Sequence, residues 1–207
     1  MDASPVEVRV LGCLIEKQRT TPDAYPLSLN GLRLACNQST NRDPVVDYDE
    51  ETIRAALQRL GNRGWTRLAS GQGSRAVKYR HLLDDALGVD DAELALLALL
   101  MLRGPQTLGE LKGRSERLHR FESAGEVDET LAGLAVRELV ERQPRRPGQK
   151  EDRFAQLLGA TEAAPSVAAP VPGPGRDDDL EERVARLERE VAELRSRLDG
   201  EHLREAG

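Results

Sequence analysis

The sequence predicts a mainly α-helical α+β fold: two tandem winged-helix domains with small β-hairpin wings, then a C-terminal coiled-coil helix. Three observations carry this. A helix, helix, helix, hairpin order is legible between residues 1 and 86. Its landmarks return about 78 residues later, where Glu129-Thr130-Leu131 echoes Glu51-Thr52-Ile53. A heptad pattern of Leu and Val then follows a Pro- and Ala-rich stretch. The expected divisions are 1–86 and 87–159 for the two domains, 160–176 for a linker and 177–207 for the tail.

In the first repeat, Ser4 can cap a helix that has Pro5 at its first position and Glu7 completing a capping box. Val6, Val10, Cys13 and Leu14 recur at helical spacing until Thr20-Thr21-Pro22 stops the run. Ser28 caps a second helix through Leu29, Leu32 and Cys36. A polar loop spans Asn37 to Pro44, and Asp47 to Glu50 opens a third helix with Ile53, Leu57 and Leu60 inward. Gly61 and Gly64 punctuate its end. Trp65–Ser70 and Ala76–His81 read as strands joined by Gly71-Gln72-Gly73-Ser74.

In the second repeat, Asp90 and Glu93 cap a strongly apolar helix through Leu94, Leu97 and Met101. Thr107 and Glu110 form a further capping box after Gly104-Pro105. Phe154 before Leu157-Leu158 echoes Tyr79 before Leu82-Leu83, and the short, basic Pro144–Lys150 hairpin is the expected second wing. Residues 160–176, rich in Ala, Pro, Val and Gly, cannot bury a core and read as a linker. Leu180, Val184, Leu187, Val191, Leu194 and Leu198 then form a heptad seam of about three repeats, with Val184 and Val191 at a and Leu187 and Leu194 at d. Val at a with Leu at d predicts a parallel homodimer. The pairs Arg183 with Glu188 and Glu190 with Arg195 favour that orientation.

Composition narrows the possibilities further. Aromatic residues make up 3% of the chain and charged residues 32%, so cores of Leu, Val and Ala in small helical units are expected. The only cysteines, Cys13 and Cys36, lie in apolar helical patterns and read as packed thiols in a cytoplasmic protein rather than a disulfide framework. Neither a leader segment nor a membrane span is legible. His81, His119 and His202 match no metal spacing, and no phosphate loop, nucleophile elbow or carboxylate pair beside a base occurs. We therefore expect no metal, no cofactor and no enzyme activity.

The net charge of −6 is unevenly spread. From Glu162 onward there are twelve acidic residues and seven arginines, whereas Thr52 to Leu82 holds seven basic residues and no acid. A local basic face can survive an acidic total. On the third helix Gln58 and Asn62 face outward beside Ala55, flanked by Arg54 and Arg59; Gln suits adenine and Arg suits guanine or phosphate. Arg75, Lys78 and Arg80 of the hairpin, with Arg42 of the polar loop, complete the candidate DNA-binding set. The same charges also fit a solvated basic face or a dock for an acidic partner, and the polar loop fits plain turn chemistry. Lys112 to Arg153 holds ten basic and nine acidic residues, so the second repeat is expected mainly to pack on the first or on a partner.

Glu16-Lys17-Gln18, Thr21-Pro22, Tyr25-Pro26-Leu27-Ser28, Asn30, the run ACNQSTNRDPV at 35–45 and LRGPQT at 102–107 together resemble the YceH family of bacterial proteins. The resemblance covers nearly the whole chain and implies tandem winged helices in a bacterial cytoplasm. It supplies no function. Ser39 stands where the family resemblance leads one to expect Lys, and Leu108 where it leads one to expect Pro. The functional expectation from the residues is thus a homodimeric DNA-binding protein, such as a transcriptional regulator. The alternative is a protein-interaction scaffold of the kind used in chromosome-segregation accessory proteins, without nucleic acid.

Overall fold

The computed structural model describes residues 2–69, 77–145 and 148–160. Arg75 and the expected linker and tail, with Leu180, Val184, Leu187, Val191, Leu194 and Leu198, lie outside the described residues. Those described belong to one compact unit of the α+β class, dominated by helices with two small antiparallel sheets.

The first repeat runs α1 (Pro5–Thr20), β1 (Leu27–Ser28), α2 (Leu29–Cys36), α3 (Glu50–Asn62), β2 (Thr66–Ala69) and β3 (Lys78–His81). A short α4 (Leu83–Leu87) leads to the second repeat: α5 (Asp91–Arg103), α6 (Leu108–Ser115), α7 (Ala124–Val136), β4 (Val140–Gln143) and β5 (Arg153–Gln156). The caps expected from the sequence set the helix starts. Ser4 with Glu7, Asp90 with Glu93 and Thr107 with Glu110 each form a reciprocal box, and Ser28 caps α2 alone. Each satisfies amide donors that the first helical turn would leave bare.

Three short elements were not anticipated. The first hairpin gains a third strand, in the order β1-β3-β2, with Leu27 opposite Tyr79. The second repeat repeats this in miniature, as Gln106 bridges to Phe154 just before the α6 cap. A 3-10 turn at Pro22–Ala24 and the helix α4 complete the connections. Two-residue strands and single turns carry too little periodicity to read in advance.

One continuous core joins the repeats. All residues from Leu94 to Leu102 are buried, because α1, α6, α7 and β5 surround α5 on every side. The main seam is α1 against α5, and it needs Gly12. A Cβ there would lie 2.9 Å from Leu102 Cγ and 3.0 Å from Met101 Cβ. Gly12→Val should cost about 1–3 kcal/mol by overpacking, although valine is the better helix former. Urea denaturation tests this, and an unchanged or raised midpoint would refute the tight seam. The far ends of the body are also tied, since Ala3 N–H donates to the Leu158 carbonyl at 3.1 Å and Ala160 N–H to that of Ala3 at 3.0 Å. Gly159 permits this approach, for a Cβ there would sit 2.1 Å from the Ala3 oxygen.

Candidate functional site

Helix α3 sorts its residues by period. Ile53, Ala56, Leu57 and Leu60 are buried, while Arg54, Gln58, Arg59 and Asn62 on the other faces are exposed. Asp49 caps the helix by accepting from Thr52 N–H at 2.8 Å, and that bond holds its carboxyl below the usual range. The outward cations are not all free. Arg54 lies 3.9 Å from Glu50 one turn earlier, with 60% of its side chain exposed. Arg59 donates to Glu7 at 3.2 Å. Burial pushes the Glu7 carboxyl up, but hydrogen bonds from Ser4 and the charges of Arg59 and Arg63 outweigh that and lower it, so Glu7 stays ionised. Arg63 donates to the Asp2 carbonyl at 2.9 Å and stacks its guanidinium over Trp65, 5.5 Å from the ring centre.

The hairpin presents a cleaner arrangement. Thr66 pairs with His81, Arg67 with Arg80, Leu68 with Tyr79 and Ala69 with Lys78. Side chains alternate between faces, so Thr66 and His81 are buried on the core side, while Arg67, Lys78 and Arg80 share the outer one. Arg67 and Arg80 stand directly opposite each other. Neither they nor Lys78 form an ion pair among the described residues. Arg67 was missing from the expected set because only the strand register reveals that it faces Arg80.

Arg42 is a correction. Expected at a DNA-binding surface, its side chain is wholly buried, with its guanidinium turned into the protein. It donates to both Glu16 oxygens, at 3.1 and 2.5 Å, to the carbonyls of Ala35 and Asn41 at 3.0 and 2.8 Å, and to Gln38 Oε1 at 2.9 Å. No donor is left over for a phosphate.

A family described as "Protein of unknown function, DUF480" matches residues 3–149. The chain belongs to that family. Among similar proteins, a UPF0502 protein of Geotalea uraniireducens (strain Rf4) is 48% identical over 201 residues, covering 95% of this chain and 91% of the relative. A UPF0502 protein of Serratia proteamaculans (strain 568) is 45% identical over 205 residues, covering 95% and 94%. The resemblance read from the motifs is thereby borne out.

Most of the motif residues that carried this DUF480 resemblance build the scaffold. Glu16 holds Arg42, and Gln18 meets His81 Nε2. Tyr25 O–H accepts from His81 N–H at 2.9 Å, and burial pushes its phenol up to about 12. In the polar loop, the Asn37 amide donates to the Tyr48 carbonyl at 2.8 Å and its carbonyl oxygen accepts from Tyr48 N–H at 2.9 Å. Asp43 N–H donates to the Leu102 carbonyl at 2.9 Å, fastening the loop to α5. Cys13 and Cys36 are both buried and free. The neighbouring Cys13 thiol, together with burial, pushes the Cys36 thiol pKa well above its ordinary value. Among the described residues, no group of three or more His, Cys, Asp or Glu is placed to hold a metal ion, and no helix is long and apolar enough to cross a membrane.

Proposed function

We propose that each repeat is a winged-helix unit, residues 1–86 and 87–159, and that the first binds DNA through its hairpin face and the exposed face of α3. The observation that carries this reading is the trio Arg67, Lys78 and Arg80 on one sheet face without a carboxylate partner among the described residues. Like charges directly opposite each other are destabilising, a cost that a phosphate between them reverses. Gln58 and Asn62 are the exposed amides on α3 suited to base edges, with Arg54 and Arg59 in supporting roles because each already meets a glutamate. Arg75, which lies between β2 and β3 in the sequence, adds to the basic total. The tail is proposed to hold two copies together through Leu180, Val184, Leu187, Val191, Leu194 and Leu198, and neither metal nor cofactor enters this binding role.

Neutralising about four phosphates should give a log–log salt dependence near −3.6. Arg67→Ala with Lys78→Ala should reduce that slope by roughly 2 and weaken all sequences alike, whereas Gln58→Ala should relax sequence preference at nearly constant slope. Fluorescence anisotropy on genomic fragments reads both. Affinity indifferent to salt, or untouched by the double variant, would sink the reading. A scaffold without nucleic acid predicts the opposite pull-down result: partners retained after nuclease and no DNA recovered. Sedimentation tests the tail. The full chain should show a concentration-dependent dimer that is absent from a chain truncated after Ala160, and equal monomer masses at high micromolar concentration would exclude it.

A further inference from the structure

The loop of the first repeat and the helices α5 and α6 of the second enclose a cavity of about 260 Å³. Its charged lining consists of Glu16, Glu116, Arg103, Arg114 and Arg117. Both carboxylates are already matched, Glu16 by the bidentate Arg42 and Glu116 by Lys112 at 3.4 Å. Arg114 divides its guanidinium between Glu110 at 3.3 Å and Gln106 Oε1 at 2.7 Å. Neither of the other two cations forms an ion pair among the described residues. Arg103 reaches only the neutral side-chain oxygen of Asn41, and Arg117 forms no ion pair among the described residues. Burial and the charges of Arg114 and Arg42 act against a charged Arg103 and outweigh the opposing pull of the Glu16 and Asp43 carboxylates, lowering its pKa. Leu99, Leu102 and Leu118 supply an apolar wall.

A partly enclosed space with two guanidiniums outside any ion pair among the described residues and a leucine wall calls for an anion with an apolar body. Guanidinium forks bind carboxylate or phosphate oxygens in bidentate pairs, each such charge-assisted bond being stronger than a neutral one. The volume lies below the roughly 300–1,000 Å³ of drug-sized sites, which excludes polymers and large cofactors. We infer that this cavity binds a small organic oxyanion, a compact carboxylate or phosphate monoester. Arg103 and Arg117 hold its charge, and its apolar part lies against Leu99, Leu102 and Leu118. Because Asn41 and Glu16 come from one repeat and the arginines from the other, an occupant bridges the two and stabilises their packing. This binding is independent of the nucleic-acid reading.

Titration calorimetry and thermal unfolding of the full chain at constant ionic strength test the site, with phenyl phosphate, inorganic phosphate and benzyl alcohol as probes. Phenyl phosphate should bind saturably at one per chain and raise Tm by several degrees when present at about a hundredfold above its Kd. Inorganic phosphate should bind more weakly, and benzyl alcohol not at all. Arg117→Ala, at an exposed position that folding does not need, should weaken phenyl phosphate about ten- to hundredfold; Arg103→Ala should do the same, and Arg54→Ala should change nothing. The inference is overturned by the absence of saturable binding of phenyl phosphate, by inorganic phosphate binding as tightly as phenyl phosphate, or by Arg117→Ala retaining wild-type affinity.

Discussion

Arg42→Ala is expected to lower the unfolding free energy by about 3–5 kcal/mol. The buried fork serves Glu16, Gln38 and two main-chain carbonyls at once. Removing it leaves the Glu16 carboxylate, whose side chain is only 13% exposed, with the more distant Lys17 at 3.9 Å as its remaining ion-pair partner, and leaves the Ala35 carbonyl without this donor. Breaking one half of a buried pair costs far more than the pair itself contributes, because the remaining charge stays desolvated. Arg42→Lys should recover only part of the loss, since an ammonium cannot span both Glu16 oxygens and the carbonyls together. Arg54→Ala is the contrast: an exposed, long ion pair, expected to change stability by no more than about 0.5 kcal/mol. Urea unfolding of the three variants measures all of this. An Arg42→Ala chain within about 1 kcal/mol of wild type would show that the network is not a stability element.

Acid should weaken the fold through His81. Its Nδ1 accepts from Leu83 N–H at 3.3 Å, which leaves Nε2 to donate to Gln18 Oε1, so the hydrogen bonds assign the neutral ring. Burial pushes the imidazole down to about 4, aided by Arg80 and Arg19, against the opposing pull of Asp84 at 3.5 Å and of Asp85. An unfolded histidine titrates near 6.5. Between those two values the unfolded chain binds a proton that the folded chain refuses. Stability is therefore full above pH 6.5, falls as pH drops towards 4, and gains no further loss from this residue below that. At pH 4.5 the loss should be about 2.5 kcal/mol relative to neutral pH. His81→Gln, which cannot titrate, should flatten the pH dependence by that amount, whatever its stability at pH 7. Identical slopes for the two chains would refute the assignment.

The local features of this protein were legible because their partners are near in sequence. Ser4 with Glu7, Asp90 with Glu93 and Thr107 with Glu110 lie three residues apart, so capping chemistry alone marks where three helices begin. The period of Ile53, Leu57 and Leu60 likewise separates the core face of α3 from its exposed Gln58 and Asn62. The return of those signals in the second half marked the repeat.

Arg42 shows where such reading stops. An arginine in a polar loop looks the same whether its fork meets water or the interior, and its direction depended on Glu16, 26 residues away. Arg59 was legible as an exposed cation, but not as the partner of Glu7 across 52 residues. Arg67 opposite Arg80 required the register of the strands, and the cavity arginines required α5 and α6 to meet the loop of the other repeat. By itself, then, the sequence determined the helices, their caps, the repeated order and the buried stripes, all set by hydrogen bonds and periodicity within a few residues. Only the tertiary structure decided which cations remain unpaired, because desolvation and ion pairing act between side chains brought together across the chain.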